Sequence, residues 1–304
     1  MGASLYQSSE AARAVFAEAD RVSGLPLSRV CFEGPAEKLT DTAFAQPGVV
    51  ATSLAAVEGL KELLAKMGAR IEPVFCAGHS VGEFAALATA GAFGVEDCIR
   101  LVTARGRLMA EASALVDGSM AAILGLEESV LVQICQTASQ ETGATVQVAN
   151  LNAPGQIVLS GDRKALERAS ELARASGARR AITLDVSGPF HSIYMQPASD
   201  GFVSFVENTT ISIPTIPVVL NVNAQPTQDP KAIKQEMVVQ ITRPVRWLDS
   251  MKTMVERGCT VFVELGPGQV LSGMAKRIAK DATVLNVEDR ESLERTAEKL
   301  LQLV

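Results

Sequence analysis

Residues 78–82 read Gly78-His79-Ser80-Val81-Gly82, between an apolar run, Pro73-Val74-Phe75-Cys76-Ala77, and a helix-forming run, Glu83-Phe84-Ala85-Ala86-Leu87-Ala88. A strand that turns tightly into a helix commits the chain to an α/β layer. A serine in G-x-S-x-G at that junction sits on a strained elbow, where glycines let neighbouring backbone pass closely and Oγ projects above the sheet edge. The same point is a helix N-terminus. There the Val81 N–H and the positive end of the helix dipole can receive an oxyanion formed on an attacked acyl group. The pattern predicts a serine acyl-enzyme, although the same letters also occur in plain turns.

The histidine count narrows the choice of base. The chain holds only His79, inside the motif, and His191, inside Ser187-Gly188-Pro189-Phe190-His191-Ser192. The second segment is a loop following an expected strand, Ala181–Val186, and loops at strand ends present catalytic groups on a rigid sheet. His191 is therefore the candidate base for Ser80. Asp185 is a candidate acid, and the order Ser80, Asp185, His191 would suit an α/β serine hydrolase.

The remaining pattern predicts one large α/β domain, residues 1–118 and 187–304, interrupted by a small domain at 119–186. Ser8 or Ser9 caps a helix with Ala12, Val15, Phe16 and Ala19 on one face, and Pro47 opens a longer helix through Val50, Leu54, Val57, Leu60 and Leu64. From Met120 the order becomes strand, helix, strand, strand, helix, strand, which is the ferredoxin-like βαββαβ unit. Ser80 precedes this unit and His191 follows it, so both are expected at the cleft between the domains. The α/β pattern then resumes with strands at Pro217–Asn221 and Val261–Leu265, helices near 229–239 and 247–257, and a terminal helix near 290–303. Gly266-Pro267-Gly268 lacks the lysine and spacing of a phosphate loop and reads as packing near the site.

Composition excludes several classes. A chain of 304 residues with 47% hydrophobic content can bury a large core. Its five cysteines are odd in number and lack C-x-x-C spacing, so neither a disulfide framework nor a zinc site is indicated and they read as buried thiols in a reducing compartment. A net charge of −6 without a basic, aromatic-laced run argues against a nucleic-acid partner. No apolar stretch is long enough to span a membrane, and residues 1–20 lack a basic-then-apolar leader.

Five segments together carry a family resemblance: Gly78–Leu87, Arg105-Gly106-Arg107-Leu108-Met109, Gly188-Pro189-Phe190-His191, Pro244-Val245-Arg246-Trp247 and Glu264–Leu271. In this order and spacing the chain resembles malonyl-CoA:acyl carrier protein transacylase. The resemblance implies an α/β-hydrolase-like acyltransferase domain with an inserted ferredoxin-like domain. It implies that Ser80 takes the malonyl group, that His191 moves the proton, and that Gln240 orients His191 through a carbonyl oxygen. Val81 would supply an oxyanion donor, while Arg105 would grip the malonyl carboxylate and His79, Asn150 and Phe190 would line the substrate site. By position alone Arg105 is an exposed helix charge beside Arg100 and Arg107, and Asn150 and Asn152 form a turn between strands.

The family's activity further implies malonyl-CoA as substrate, acyl carrier protein as partner, no cofactor or metal, a monomer, and a role in fatty-acid synthesis. A cytoplasmic location follows, or an organelle stroma or matrix if a targeting segment has been lost. Arg179-Arg180 and Lys276-Arg277 with Lys280 are the basic patches suited to an acidic carrier. The departure lies at the front, where family members open with a short apolar strand and a Gly-Gln-Gly-Ser-Gln loop, whereas Met1-Gly2-Ala3-Ser4-Leu5 has neither. One core strand and one oxyanion donor fewer are therefore expected. A carrier-binding protein without catalysis is the third reading this leaves open.

Overall fold

The computed structural model describes residues 1–303. Ser9 opens the helix Glu10–Ser23 by accepting the Ala12 N–H at 3.0 Å, and Ala12, Val15, Phe16 and Ala19 form the buried face. The central helix is Thr42–Lys66, with Asp41 accepting the Ala43 N–H at 2.9 Å as its cap. Pro47 therefore lies inside this helix and does not open it. Its ring forfeits one helix hydrogen bond there, and Asp41 sets the start more than a turn earlier. Ala51, Leu54, Ala55 and Ala56 are buried, and these mostly small side chains let the helices Glu10–Ser23 and Val95–Ser113 pack closely against it.

The sheet of the large domain is divided. Cys76–Ala77 runs parallel to Val218–Val219, which pairs antiparallel with Pro226–Thr227. Val261–Leu265 runs parallel to Thr283–Val287 and, among the described residues, to no other strand. Side chains from both pieces enter the same two apolar clusters: Phe75, Ala77, Phe262 and Val284 pack around Trp247 and Met251, whereas Cys76, Val261, Val263 and Leu265 face the main core. The two pieces share both covering layers, yet among the described residues no strand pairing joins them. The expected Pro73–Ala77 strand is only two residues long, Cys76–Ala77.

The inserted unit follows the expected order. Strands Gly118–Leu124, Val146–Ala153, Gln156–Asp162 and Arg180–Thr183 form one antiparallel sheet, with the Gly118 strand between those that begin at Gln156 and Arg180. Helices Glu128–Thr142 and Arg163–Ala175 cover it through Leu131, Ile134, Ala138, Leu166 and Ala169. Asn150 and Asn152 lie within the strand Val146–Ala153, not in a turn; the turn falls at Pro154-Gly155. The unit is tied to the large domain by backbone bonds of 2.9 Å, Leu151 N–H to Val245 O and Val245 N–H to Ala149 O.

Helices Trp247–Glu256, Val270–Ile278 and Arg290–Leu303 stand close to their expected places. The Gly266 turn packs against Ser53 of the central helix, and the Glu288 carboxylate accepts the Gly268 N–H at 3.1 Å, so an acid occupies the place a phosphate would take at this turn. Among the described residues no helix is long and apolar enough to cross a membrane. Cys31, Cys76, Cys98 and Cys135 are buried free thiols, and Cys259 is half-buried.

Candidate active site

The elbow has the strain its motif implies. Ser80 has φ 50°, in the left-handed region, at a cost of about 1–2 kcal/mol for a residue with a side chain. A Cβ on Gly78 would lie 2.1 Å from the Gly82 carbonyl carbon, so residue 78 must be glycine. Gly82 differs from expectation, since a Cβ there meets nothing within 4 Å. Only the first glycine is dictated by close approach. Val81 caps the helix Gly82–Thr89, and its N–H meets no protein acceptor among the described residues.

Ser80 Oγ and His191 Nε2 are 2.7 Å apart. The other ring nitrogen, Nδ1, donates to the Gln240 carbonyl oxygen at 2.9 Å. That bond leaves Nε2 bare, so the Ser80 hydroxyl donates to it and the tautomer is the one a general base requires. Burial, reinforced by the positive charge of Arg105, holds the His191 pKa down to about 3, against the pull of the Gln240 carbonyl. His191 is a neutral imidazole across the ordinary pH range. Asp185 is exposed and takes no part, because the Gln240 carbonyl already holds the nitrogen a carboxylate would need.

Arg105 separates from its helix neighbours. Arg100 and Arg107 pair on the surface with Asp97 and Glu111, whereas Arg105 is only 1% exposed and forms no ion pair among the described residues. Its Nη1 donates to Gln46 Oε1 at 2.6 Å, and its Nη2 to Gln240 Oε1 at 2.8 Å and to Ser80 Oγ at 3.2 Å. Nε has no partner. Burial lowers its pKa to about 10, opposed by the Glu83 charge. A guanidinium held by two neutral amides keeps its charge for an incoming anion.

His79 points elsewhere. Its Nε2 donates to Asn152 Oδ1 at 2.9 Å and its ring meets Trp247 edge-on at 5.8 Å, so it pins the inserted sheet to the large domain. Burial lowers its pKa. Asn150 is buried beside Val245, and Phe190 is half-buried between the main core and the inserted sheet. Gln147 Nε2 donates to the His191 carbonyl at 3.3 Å, so both domains hold the site.

Two contributors escaped the sequence reading. Gln46, before Pro47 in the mostly apolar first half of its helix, carried no signal. Asn221 carried a faint one, a polar side chain closing the apolar run Pro217–Leu220 where ligands meet parallel sheets. Its Oδ1 accepts the Ser80 N–H at 2.7 Å and its Nδ2 donates to the Gly78 carbonyl at 2.7 Å.

A strained serine with a carbonyl-oriented histidine and a buried, unpaired arginine, on this two-part α/β scaffold, defines an acyltransferase; residues 1–297 match the family model described as acyl transferase domain. Malonyl CoA-acyl carrier protein transacylase of Bacillus subtilis (strain 168) is 43% identical over 294 residues, 97% of this chain and 90% of that one. A crystal structure of acyl-carrier-protein-S-malonyltransferase from Bartonella henselae superposes with TM-score 0.92 at 40% identity, covering 99% of this chain and 94% of that one. A malonyl-transacylase in complex with its type II PKS acyl-carrier protein gives TM-score 0.91 at 36% identity, covering 98% and 94%. The chain belongs to the malonyl CoA-acyl carrier protein transacylase family.

Proposed function

We propose that this chain moves a malonyl group from malonyl-CoA to the phosphopantetheine thiol of an acyl carrier protein through a malonyl ester on Ser80. The observation that carries the choice of acyl group is the unpaired Arg105 guanidinium donating to Ser80 Oγ at 3.2 Å. A carboxylate on the acyl group gives it two charge-assisted bonds, and an acetyl group gives it none.

Ser80 Oγ attacks the thioester carbonyl as His191 Nε2 takes its proton. The tetrahedral oxyanion rests at the Val81 N–H, and its collapse expels the coenzyme A sulfur, which leaves with the proton from Nε2. The carrier thiol then gives its proton to Nε2, attacks the ester, and releases Ser80 as Oγ recovers a proton. Gln240 keeps the imidazole oriented without a buried carboxylate. His79 acts as a pin beside the substrate path, and Asn150 and Phe190 as its wall. One oxyanion donor is worth on the order of 10²–10³ in turnover, which is the weight this reading gives the Val81 N–H.

The same reading has a monomer acting in the cytoplasm for fatty-acid synthesis, without cofactor, metal or nucleic acid. The carrier-complexed relative supports the partner. Arg179, Arg180, Lys276 and Lys280 are exposed and suit an acidic carrier, whereas Arg277 is engaged with Gln156 and the Pro154 carbonyl.

Intact-mass spectrometry after brief exposure to malonyl-CoA or acetyl-CoA tests this reading. A malonyl adduct absent from Ser80→Ala, passed to carrier protein and not to water, is expected. Decay into water would favour a hydrolase, and a folded chain that binds carrier without ever acylating would be a docking protein.

A further inference from the structure

The strained Ser80 is gripped through its own backbone. Its N–H is taken by Asn221 Oδ1 at 2.7 Å, and its carbonyl accepts Gln240 Nε2 at 3.1 Å. The same Asn221 amide donates from Nδ2 to the Gly78 carbonyl at 2.7 Å, so one side chain bridges the two ends of the turn. Asn221 is itself fully buried, and its backbone N–H donates to Glu83 Oε2 at 2.8 Å. Beside it the Val222 N–H donates to Glu236 Oε1 at 2.7 Å. Two buried acids thus fix the loop that carries the amide, and the Glu83 carboxyl belongs to the elbow helix, closing the circuit.

We infer that Asn221 is a positioning residue for the acylation step, holding Ser80 in its left-handed conformation so that Oγ meets His191 and the Val81 N–H faces the oxyanion. Bonds to Ser80 N–H and Gly78 C=O fix the peptide planes on both sides of His79. The Gln240 bond to the Ser80 carbonyl fixes the next plane, and in a trans peptide the Val81 N–H then points the opposite way. A neutral amide accepts on one side and donates on the other without charge at any ordinary pH, which a carboxyl of the same size does only when protonated. This rests on the acylation of Ser80 proposed above.

Three variants test it with two readouts. A fluorophosphonate probe reports Ser80 reactivity whatever the natural acyl donor is, and single-turnover malonyl-CoA acylation reports the proposed reaction. Asn221→Ala is expected to slow both by about 10–10²-fold, as an ångström-scale misplacement does, with the malonyl-CoA KM within about threefold because Arg105 is untouched. Asn221→Asp is isosteric: protonated, it accepts and donates like the amide, while ionised it faces the Gly78 carbonyl with no donor. Its labelling rate is therefore expected to rise as pH falls relative to the parent. The titratable and charged groups facing this position are Glu83 and Glu236 at the backbone, with Arg105 and His191 across Ser80. Glu83→Gln serves as the control that removes one neighbouring acid while leaving both Asn221 side-chain bonds. Folded Asn221→Ala labelling within twofold of the parent would overturn the inference, as would an Asn221→Asp pH profile parallel to the parent. Normal labelling of the parent without a malonyl adduct would instead count against the proposed substrate.

Discussion

Arg105 Nη2 stands 3.2 Å from Ser80 Oγ, so the cation that would receive the acyl group's carboxylate touches the atom that attacks its carbonyl. Charge selection and bond formation share one spot. Changing Arg105 therefore alters both what is bound and the field at the histidine.

Arg105→Gln is expected to lower kcat/KM for malonyl-CoA by about 10–10²-fold, the loss of one or two hydrogen bonds to a charged group. The value for acetyl-CoA is expected to hold or rise. Steady-state kinetics with the two donors check this.

The His191 pKa of about 3, set by burial and then by Arg105, places the acid limb of kcat/KM far below the usual histidine value near 6.5. The same shift makes the fold acid-sensitive. Below about pH 6.5 the unfolded chain binds a proton that the folded imidazole refuses, so stability falls by about 1.4 kcal/mol per pH unit from this group until about pH 3. His191→Asn is expected to flatten that slope in denaturant titrations. Arg105→Gln is expected to raise the His191 pKa part of the way, read by NMR from two imidazole signals that His79→Asn assigns.

Gly78→Ala and Gly82→Ala are expected to diverge although both alter the same motif. At position 78 the methyl enters backbone at 2.1 Å, and a loss of more than about 3 kcal/mol or failure to fold is expected. At position 82, the first residue of the helix Gly82–Thr89, the methyl meets open space and helix propensity favours alanine by up to about 1 kcal/mol. Thermal unfolding of both variants is the measurement.

Reversing charge at Arg179, Arg180, Lys276 and Lys280 together is expected to lower kcat/KM for carrier protein several-fold and to abolish or invert its fall with added salt. Formation of malonyl-Ser80 from malonyl-CoA is expected to stay unchanged. An unaltered rate with carrier protein would remove these patches from the docking surface.

What the sequence reveals of the site is what local pattern can encode. The elbow, the lone candidate base and the βαββαβ interval rest on short windows and fixed turn chemistry. Gln46 acts from the early turns of a long helix, where nothing nearby distinguishes it from an ordinary polar residue, and Asn221 acts from just past a strand end 141 residues after Ser80, marked only by the apolar run it closes. The strand Thr283–Val287 is not legible because five apolar-rich residues beside a helix carry weak periodicity, and its partner is reached by a crossover. Pro47 misled because proline does open helices, yet the better cap at Asp41 determined the start. For Arg105 the helix position could not reveal burial; only the resemblance singled it out.

The divided sheet has a consequence for how the molecule breathes. A continuous parallel sheet melts as one cooperative unit, but Cys76–Ala77 is held by two residue pairs to Val218–Val219, and Val261–Leu265 belongs to a separate ladder. Each ladder can open without first breaking the other, so the amides that lead into the nucleophile belong to the low-energy end of local unfolding. Hydrogen exchange should reach Cys76 and Ala77 well before the ladder of the inserted sheet, whose two inner strands are each bonded on both sides.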